Sequence, residues 1–208
     1  MRALFERCLN ADYIHTAEDG DYAVEVEGDT LYLLFEWSDG REDWKNNLDF
    51  PVRPYSRMET KWWCHRGFLR VWKAMRKEVE SIVFYVLNAY PEVTNIVCVG
   101  FSHGAAIAVL ATEDMAYLYG NEVTVSGYGF GAPRVLWGRV PEAVKDRLKR
   151  FVTVRNVPDF ITHVPPRSWG YRDAGRLLKI GRPFKYGPIS AHFPENYTKE
   201  LGCVPIEQ

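Results

Sequence analysis

The stretch that decides the fold is Asn95-Ile-Val-Cys-Val-Gly-Phe-Ser-His-Gly-Ala-Ala-Ile-Ala-Val-Leu110. It opens with a short apolar run, Asn95 to Gly100, of the kind that forms a strand buried on both faces of a parallel sheet. It leads into an alanine-rich segment, Ala105 to Leu118, that reads as a helix slim enough to pack close to that sheet. Between them stands Gly100-Phe101-Ser102-His103-Gly104, a G-x-S-x-G placed after a strand and before a helix. A serine on so sharp a turn holds its hydroxyl above the sheet edge, in a strained backbone conformation. Gly100 and Gly104 are expected there because a Cβ at either would collide with the neighbouring strand and helix. The N-terminal amides and positive dipole end of the helix point at an oxyanion developing beside Ser102.

On the N-terminal side, Tyr22 to Glu27 alternates with period two and reads as a half-buried strand. Gly28-Asp29 turns the chain into a second strand, Thr30 to Phe35, and Ser38-Asp39-Gly40 breaks it. Asp43 to Tyr55 is mixed and reads as a loop carrying a short helix. From Gly67, the residues Phe68, Trp72, Met75, Val79, Ile82 and Val86 recur at three and four, which places them on one face of a long helix ending before Pro91. On the C-terminal side follow a strand at Val123 to Gly129, a helix at Pro141 to Leu148, a strand at Phe151 to Arg155, an apparent strand at Tyr171 to Ile180, and a short final helix. Strands alternating with helices imply an α/β fold: a mostly parallel central sheet with helices on both faces and an antiparallel N-terminal hairpin.

Composition narrows the function. With 208 residues, the chain is expected to form one domain over 1–208. Its 26 Lys+Arg against 27 Asp+Glu give a net charge of −1, which removes the bulk electrostatic argument for a nucleic-acid partner. Aromatics reach 14%, more than a minimal core needs, and hint at apolar binding surface. The N-terminus carries charges where a signal peptide needs an apolar run, and Ser81 to Tyr90 is far short of the ~18 residues of a membrane span. A reduced, soluble, cytoplasmic protein is expected, with release by other routes left open. Cys8, Cys64, Cys98 and Cys203 allow three pairings if oxidised, and nothing in the sequence supports oxidation. No metal or cofactor is implied: Cys64-His65 lacks paired ligands at zinc spacing, and Gly127-Tyr-Gly129-Phe-Gly131 fits a strand-end turn better than a dinucleotide fingerprint.

Ser102 needs a base, and the base needs an orienting carboxylate, in the chain order Ser, Asp, His. Asp159 follows the strand Phe151–Arg155 at its carboxyl end, where such sheets place their sites, and His192 lies in a loop before the final helix. The roles would be Ser102 as nucleophile, His192 as general base and then acid, and Asp159 as the group fixing its tautomer. Asp173 is a rival acid, although it lies inside an apparent strand. His163 precedes Val-Pro-Pro and is expected to shape that loop, His103 to point along its helix, and His15 and His65 come before the serine.

With these residues in view, the chain from about Leu31 to Tyr197 resembles the class 3 (fungal-type) lipases of the α/β-hydrolase superfamily. The matching pieces are Phe35 to Ser38 with Asp43-Trp44, His65-Arg-Gly-Phe-Leu69, Gly100 to Gly104, Gly129-Phe-Gly-Ala-Pro-Arg134, Arg155-Asn156 through Asp159 to Pro166, and His192 with Tyr197. The resemblance implies a Ser-Asp-His ester hydrolase acting on a small-molecule or lipid ester, with transient contact to a lipid surface. It also implies an oxyanion hole formed by the backbone amides of His103 and Ser38, and a lid-like segment at about 39–55. Two departures stand out: Trp37 where the family commonly has Gly, and Phe101 and His103 where it usually has His and Leu around the nucleophile. Acyl transfer or thioester cleavage on the same residues, and a non-catalytic binding module, remain alternatives.

Overall fold

Residues 1–16, 20–37, 50–57 and 60–203 are described by the computed structural model. Ser38, and the lid-like segment as far as residue 49, lie outside them. The apolar run at 95–101 forms β5 (Asn95–Phe101), the middle of a twisted sheet ordered β1-β2-β5-β6-β8-β10. Its other strands are β1 (Tyr22–Glu27), β2 (Thr30–Phe35), β6 (Thr124–Phe130), β8 (Phe151–Asn156) and β10 (Arg176–Ile180). All neighbours pair in parallel except β1, which turns back antiparallel on β2 through Gly28-Asp29. This is the α/β-hydrolase architecture expected from the sequence, with the hairpin at its edge.

Helix α3 (His103–Tyr119) follows β5 and is buried on every side from His103 to Met115, which explains its run of alanines. Helix α2 (Arg66–Ala89) packs on it through Phe68, Trp72, Met75, Val79, Val83 and Val86, the stripe read from spacing except that Val83 is buried where Ile82 was expected and Ile82 is only partly buried. On the opposite face, α1 (Arg2–Leu9) and α5 (Pro194–Leu201) share a second core in which Phe5 and Tyr197 meet Phe101 and Phe130. A short helix, α4 (Glu142–Arg147), leads into β8. Inside the first core, Asp114 of α3 accepts hydrogen bonds from Trp72 Nε1 at 2.7 Å and from the Tyr55 hydroxyl. Among the described residues no helix is long and apolar enough to cross a membrane.

The structure differs from the sequence reading in three places. The loop expected through Tyr55 gives way at Val52 to β3 (Val52–Arg57), which pairs antiparallel with β4 (Thr60–His65). These strands join β7 (Leu136–Trp137) and β9 (Tyr171–Arg172) in a separate four-stranded sheet ordered β3-β4-β7-β9. The apparent strand Tyr171–Ile180 is therefore two strands in different sheets. Between them the chain bends at Asp173-Ala-Gly175, where Gly175 adopts φ +58 and its Cα lies against Phe151. Finally, the first ten residues hold a helix, α1, that the sequence reading had not assigned.

Two of the positive-φ glycines, Gly28 and Gly175, separate strain from collision. A Cβ at Gly28 (φ +58) would meet nothing within 4 Å, whereas one at Gly175 would fall 2.1 Å from the Phe151 carbonyl oxygen. Gly28→Ala should cost only the conformational penalty of about 1–2 kcal/mol. Gly175→Ala should cost about 1–3 kcal/mol more, because backbone must shift. Urea unfolding of both variants checks the ordering, and equal losses would contradict it.

Candidate active site

The strand–helix turn is as sharp as the sequence implied. Ser102 stands at φ 53, ψ −117, and its amide donates to the Phe130 carbonyl at 2.9 Å. The glycines on either side permit it. A Cβ at Gly100 would lie 2.1 Å from Gly104 O, and one at Gly104 would lie 2.2 Å from Phe35 O. The Ser102 side chain is thereby held at the carboxyl end of the sheet. The amide of His103, first in α3, is one of the helix-start donors that have no carbonyl four residues earlier in the helix to bond.

Both distant residues reach this point. His192 Nε2 lies 2.7 Å from Ser102 Oγ, and His192 Nδ1 lies 2.7 Å from Asp159 Oδ2. Asp159 is fully buried and is held from two sides: the Ile161 amide donates to Oδ1 at 2.9 Å, and the Tyr197 hydroxyl to Oδ2 at 2.6 Å. Burial, and then the Asp159 charge, push the Tyr197 phenol well above its ordinary range, so it stays a donor. Asn156 Nδ2 donates to Ala191 O at 2.9 Å, tying the His192 loop to the end of β8. Gly131 (φ +62) is also required, since a Cβ there would stand 3.0 Å from His192 Cε1.

The rivals are placed elsewhere. Asp173 faces three arginines, accepting from Arg134 Nε at 3.1 Å, Arg155 Nη2 at 2.8 Å and Arg167. Burial raises its pKa, but the Arg167 hydrogen bond and the charges of Arg155 and Arg134 outweigh that and hold it below the usual carboxylate range. The His163 imidazole Nδ1 contacts Asp159 O at 3.0 Å, a loop-shaping role as expected. His65 caps α2 and stacks on Phe68, with ring centroids 4.1 Å apart. His15 pairs with Asp21; together with Glu36 they bring three ligand-type atoms within 4.8 Å of one another, a cluster that its own ion pair satisfies.

The structure also accounts for the exchange around the nucleophile. Phe101 stacks on the His192 imidazole, with centroids 5.1 Å apart at 23°, and packs against Trp37 and Tyr197. His103 is buried and meets the Phe68 ring edge-on at 5.4 Å, away from Ser102. The contacts of Phe101 and Tyr197 were missed from sequence; the signals were their proximity in the chain to Ser102 and His192 and their place in the pieces that match the family.

The family is decided by the match of residues 32–169 to the model of lipase (class 3). The chain belongs to the class 3 lipase family. Over 162 residues it is 28% identical to the lipase of Rhizomucor miehei, covering 74% of this chain and 43% of that protein. Over 166 residues it is 30% identical to phospholipase A1-II 2 of Oryza sativa subsp. indica, covering 67% of this chain and 40% of that protein. The chain thus spans about two fifths of the length of these curated relatives. Among solved structures, the lipase from Rhizopus microsporus var. chinensis superposes with a TM-score of 0.70 at 24% identity, covering 80% of this chain and 59% of that one.

Burial depresses the His103 pKa to about 4, so the folded state holds a neutral ring that the unfolded chain would protonate near ~6.5. Below that pH the unfolded state binds more protons, and stability falls as pH drops toward about 4. From pH 7.5 to 5 this group should cost on the order of 2 kcal/mol. Chemical denaturation at both pH values should show the loss, with a smaller one in His103→Leu. Equal losses in the two proteins would refute it.

Proposed function

We propose that this chain is a serine carboxylic ester hydrolase working through an acyl-enzyme, with Ser102, His192 and Asp159 as its catalytic residues. The observation that carries the reading is the continuous line Ser102 Oγ–His192 Nε2 and His192 Nδ1–Asp159 Oδ2, each link 2.7 Å. Ser102 Oγ bonds to the ester carbonyl carbon as its proton passes to His192 Nε2. Asp159 holds the ring and stabilises the imidazolium. When the tetrahedral intermediate collapses, the C–O bond to the alcohol breaks and the alcohol takes the proton from His192. Water then repeats the sequence on the acyl-Ser102, releasing the carboxylic acid and restoring the serine proton. The amides of His103 and Ser38 are proposed as the oxyanion donors; losing one such donor typically costs ~10²–10³ in rate.

Acylglycerols or other short- and medium-chain esters are the proposed substrates. The names of the lipase and phospholipase A1 relatives support a lipid ester. So do the exposed Phe160, Ile189 and Phe193, close in the chain to Asp159 and His192, which give the rim apolar surface for transient contact with lipid. The proposed lid lies largely outside the described residues; its sequence spaces Trp44 and Leu48 four apart among Lys45, Asn46, Asn47 and Asp49, a pattern too narrow for a broad apolar face, which favours modest interfacial activation. Cys8, Cys64 and Cys98 are buried free thiols, in keeping with a reducing compartment.

A fluorophosphonate probe should label the protein, and Ser102→Ala should abolish both labelling and turnover of p-nitrophenyl esters. Across a series from acetate to palmitate, the short and medium chains should be the better substrates. Ser102→Ala and His192→Ala should each lower kcat by at least ~10³-fold, and the double variant should be no worse, because the residues act as a unit. Turnover should also fall on acidification, since an imidazolium cannot accept the Ser102 proton. A protein that binds lipid without labelling or turnover would be a binding module instead.

A further inference from the structure

Asp159 sits at the head of a loop, and the carbonyls of that loop are gripped by two guanidinium groups. Arg155 Nη2 donates to Thr162 O at 3.0 Å. Arg134 Nη1 donates to Pro165 O at 2.9 Å and also to His163 O, while the Arg134 amide donates to Val164 O at 2.9 Å. Four consecutive carbonyls, 162 to 165, are thus held from two arginines that are 4% and 6% exposed. The loop then passes the constraint back: Thr162 Oγ1 donates to Asp159 O at 2.9 Å, and the Ile161 amide fixes Asp159 Oδ1.

Both arginines are aimed by one side chain. Asp173 Oδ1 accepts from Arg134 Nε at 3.1 Å and from Arg155 Nη2 at 2.8 Å. A buried ion pair of this kind adds little net stability compared with well-packed apolar groups, because desolvating the charges offsets their attraction. What it does supply is direction. A planar fork pinned at one edge by a carboxylate presents its remaining N–H groups at fixed angles, which a lysine in the same place could not do.

We propose that Asp173 is a positioning residue for Asp159: by orienting Arg134 and Arg155 it fixes the 159–165 loop, and with it the approach of Asp159 to His192. This rests on the ester-hydrolase reading above. Among the described residues, the groups facing His192 are Ser102, Asp159 and the rings of Phe101 and Tyr197, and of these Asp159 is the one that carries charge. A loosened Asp159 would stabilise the imidazolium less. The ring would then accept the serine proton less readily.

The test is Asp173→Asn, assayed on p-nitrophenyl butyrate with active protein counted by fluorophosphonate labelling carried to its end point. We expect kcat per labelled site to fall about 10- to 100-fold, the scale of a small misplacement of a reacting group, with KM changed less than about twofold. The acid limb of the kcat/KM profile should move to lower pH, and the far-downfield proton of the His192 ring, read by NMR, should weaken. Arg155→Lys should behave in the same direction, because a lysine ammonium ends near the position of Arg155 Cζ, one bond short of where Nη2 reaches both Asp173 and the Thr162 carbonyl, so either variant suffices if the other folds poorly. Arg147→Met, which removes a buried ion pair to Glu113 on α3, serves as the comparison: lower stability, with an unchanged acid limb and kcat per site. Should Asp173→Asn and Arg155→Lys lose stability alone, with kcat per labelled site and acid limb as in the parent protein, the proposal is overturned. Absence of labelling in the parent protein would instead overturn the hydrolase reading itself.

Discussion

The close approach of Gly104 to the end of β2 sets the geometry of the whole rim. With a Cβ position only 2.2 Å from the Phe35 carbonyl oxygen, helix α3 sits against the strand edge as tightly as backbone allows. Gly100 repeats the condition one residue before β5 ends, where a Cβ would stand 2.1 Å from Gly104 O. The strained Ser102 backbone, a conformation worth about 1–3 kcal/mol in cost, persists because its surroundings over-determine it. Those surroundings are a fully buried helix and a hydrogen bond to Phe130 O. The same contact links the two proposed halves of the oxyanion hole, since the chain beyond Phe35 leads directly to Trp37 and Ser38 while α3 supplies His103.

A second constraint comes from the aromatic core on the opposite face. Phe5, Phe101, Phe130 and Tyr197 pack with ring centroids 4.8–5.9 Å apart, and His192 lies on the Phe101 face. Helix α1 contributes Phe5 to this cluster, and α5 contributes Tyr197. An imidazole bounded by rings on one side and hydrogen-bonded at both nitrogens has few orientations left. The apolar surroundings also lower the local dielectric, which strengthens its interaction with Asp159.

Legibility in the sequence followed locality. The strand, turn and helix around Ser102 are contiguous, and so are the stripe of α2 and the hairpin β1–β2; each carries its own periodicity. The second sheet was hidden because β7 and β9 are two residues each, too short for any period, and because β3 holds a proline. The Tyr171–Ile180 segment read as one strand because its bend, Asp173-Ala-Gly175, interrupts the hydropathy only weakly; what accompanies the break is the close approach of Gly175, in a left-handed conformation, to the Phe151 backbone, a tertiary fact. Asp159 and His192 were found by order along the chain and by the family's motifs, whereas Tyr197 as a partner of Asp159 needed the fold to bring α5 beneath β8. Ser38 lies outside the described residues, so its part in the site rests on the resemblance alone.

The two carboxylates that competed for the role of acid divide the electrostatic labour. Asp173 accepts from three guanidinium groups, so its charge is already neutralised and little of it would be felt by an imidazolium nearby. Asp159 receives neutral donors, the Ile161 amide and the Tyr197 hydroxyl, which orient the carboxylate while leaving its charge unspent. In the proposed reaction, a group that must stabilise positive charge only while the proton is on His192 needs that kind of environment: fixed in direction, uncompensated until the reaction makes its counter-charge. Swapping the two environments would give a well-anchored loop with an ineffective acid. On the proposed reading, a charge-quenched anchor and a charge-bearing acid stand fourteen residues apart in the chain, linked by Arg155, which bonds Asp173 directly and reaches Asp159 through Thr162.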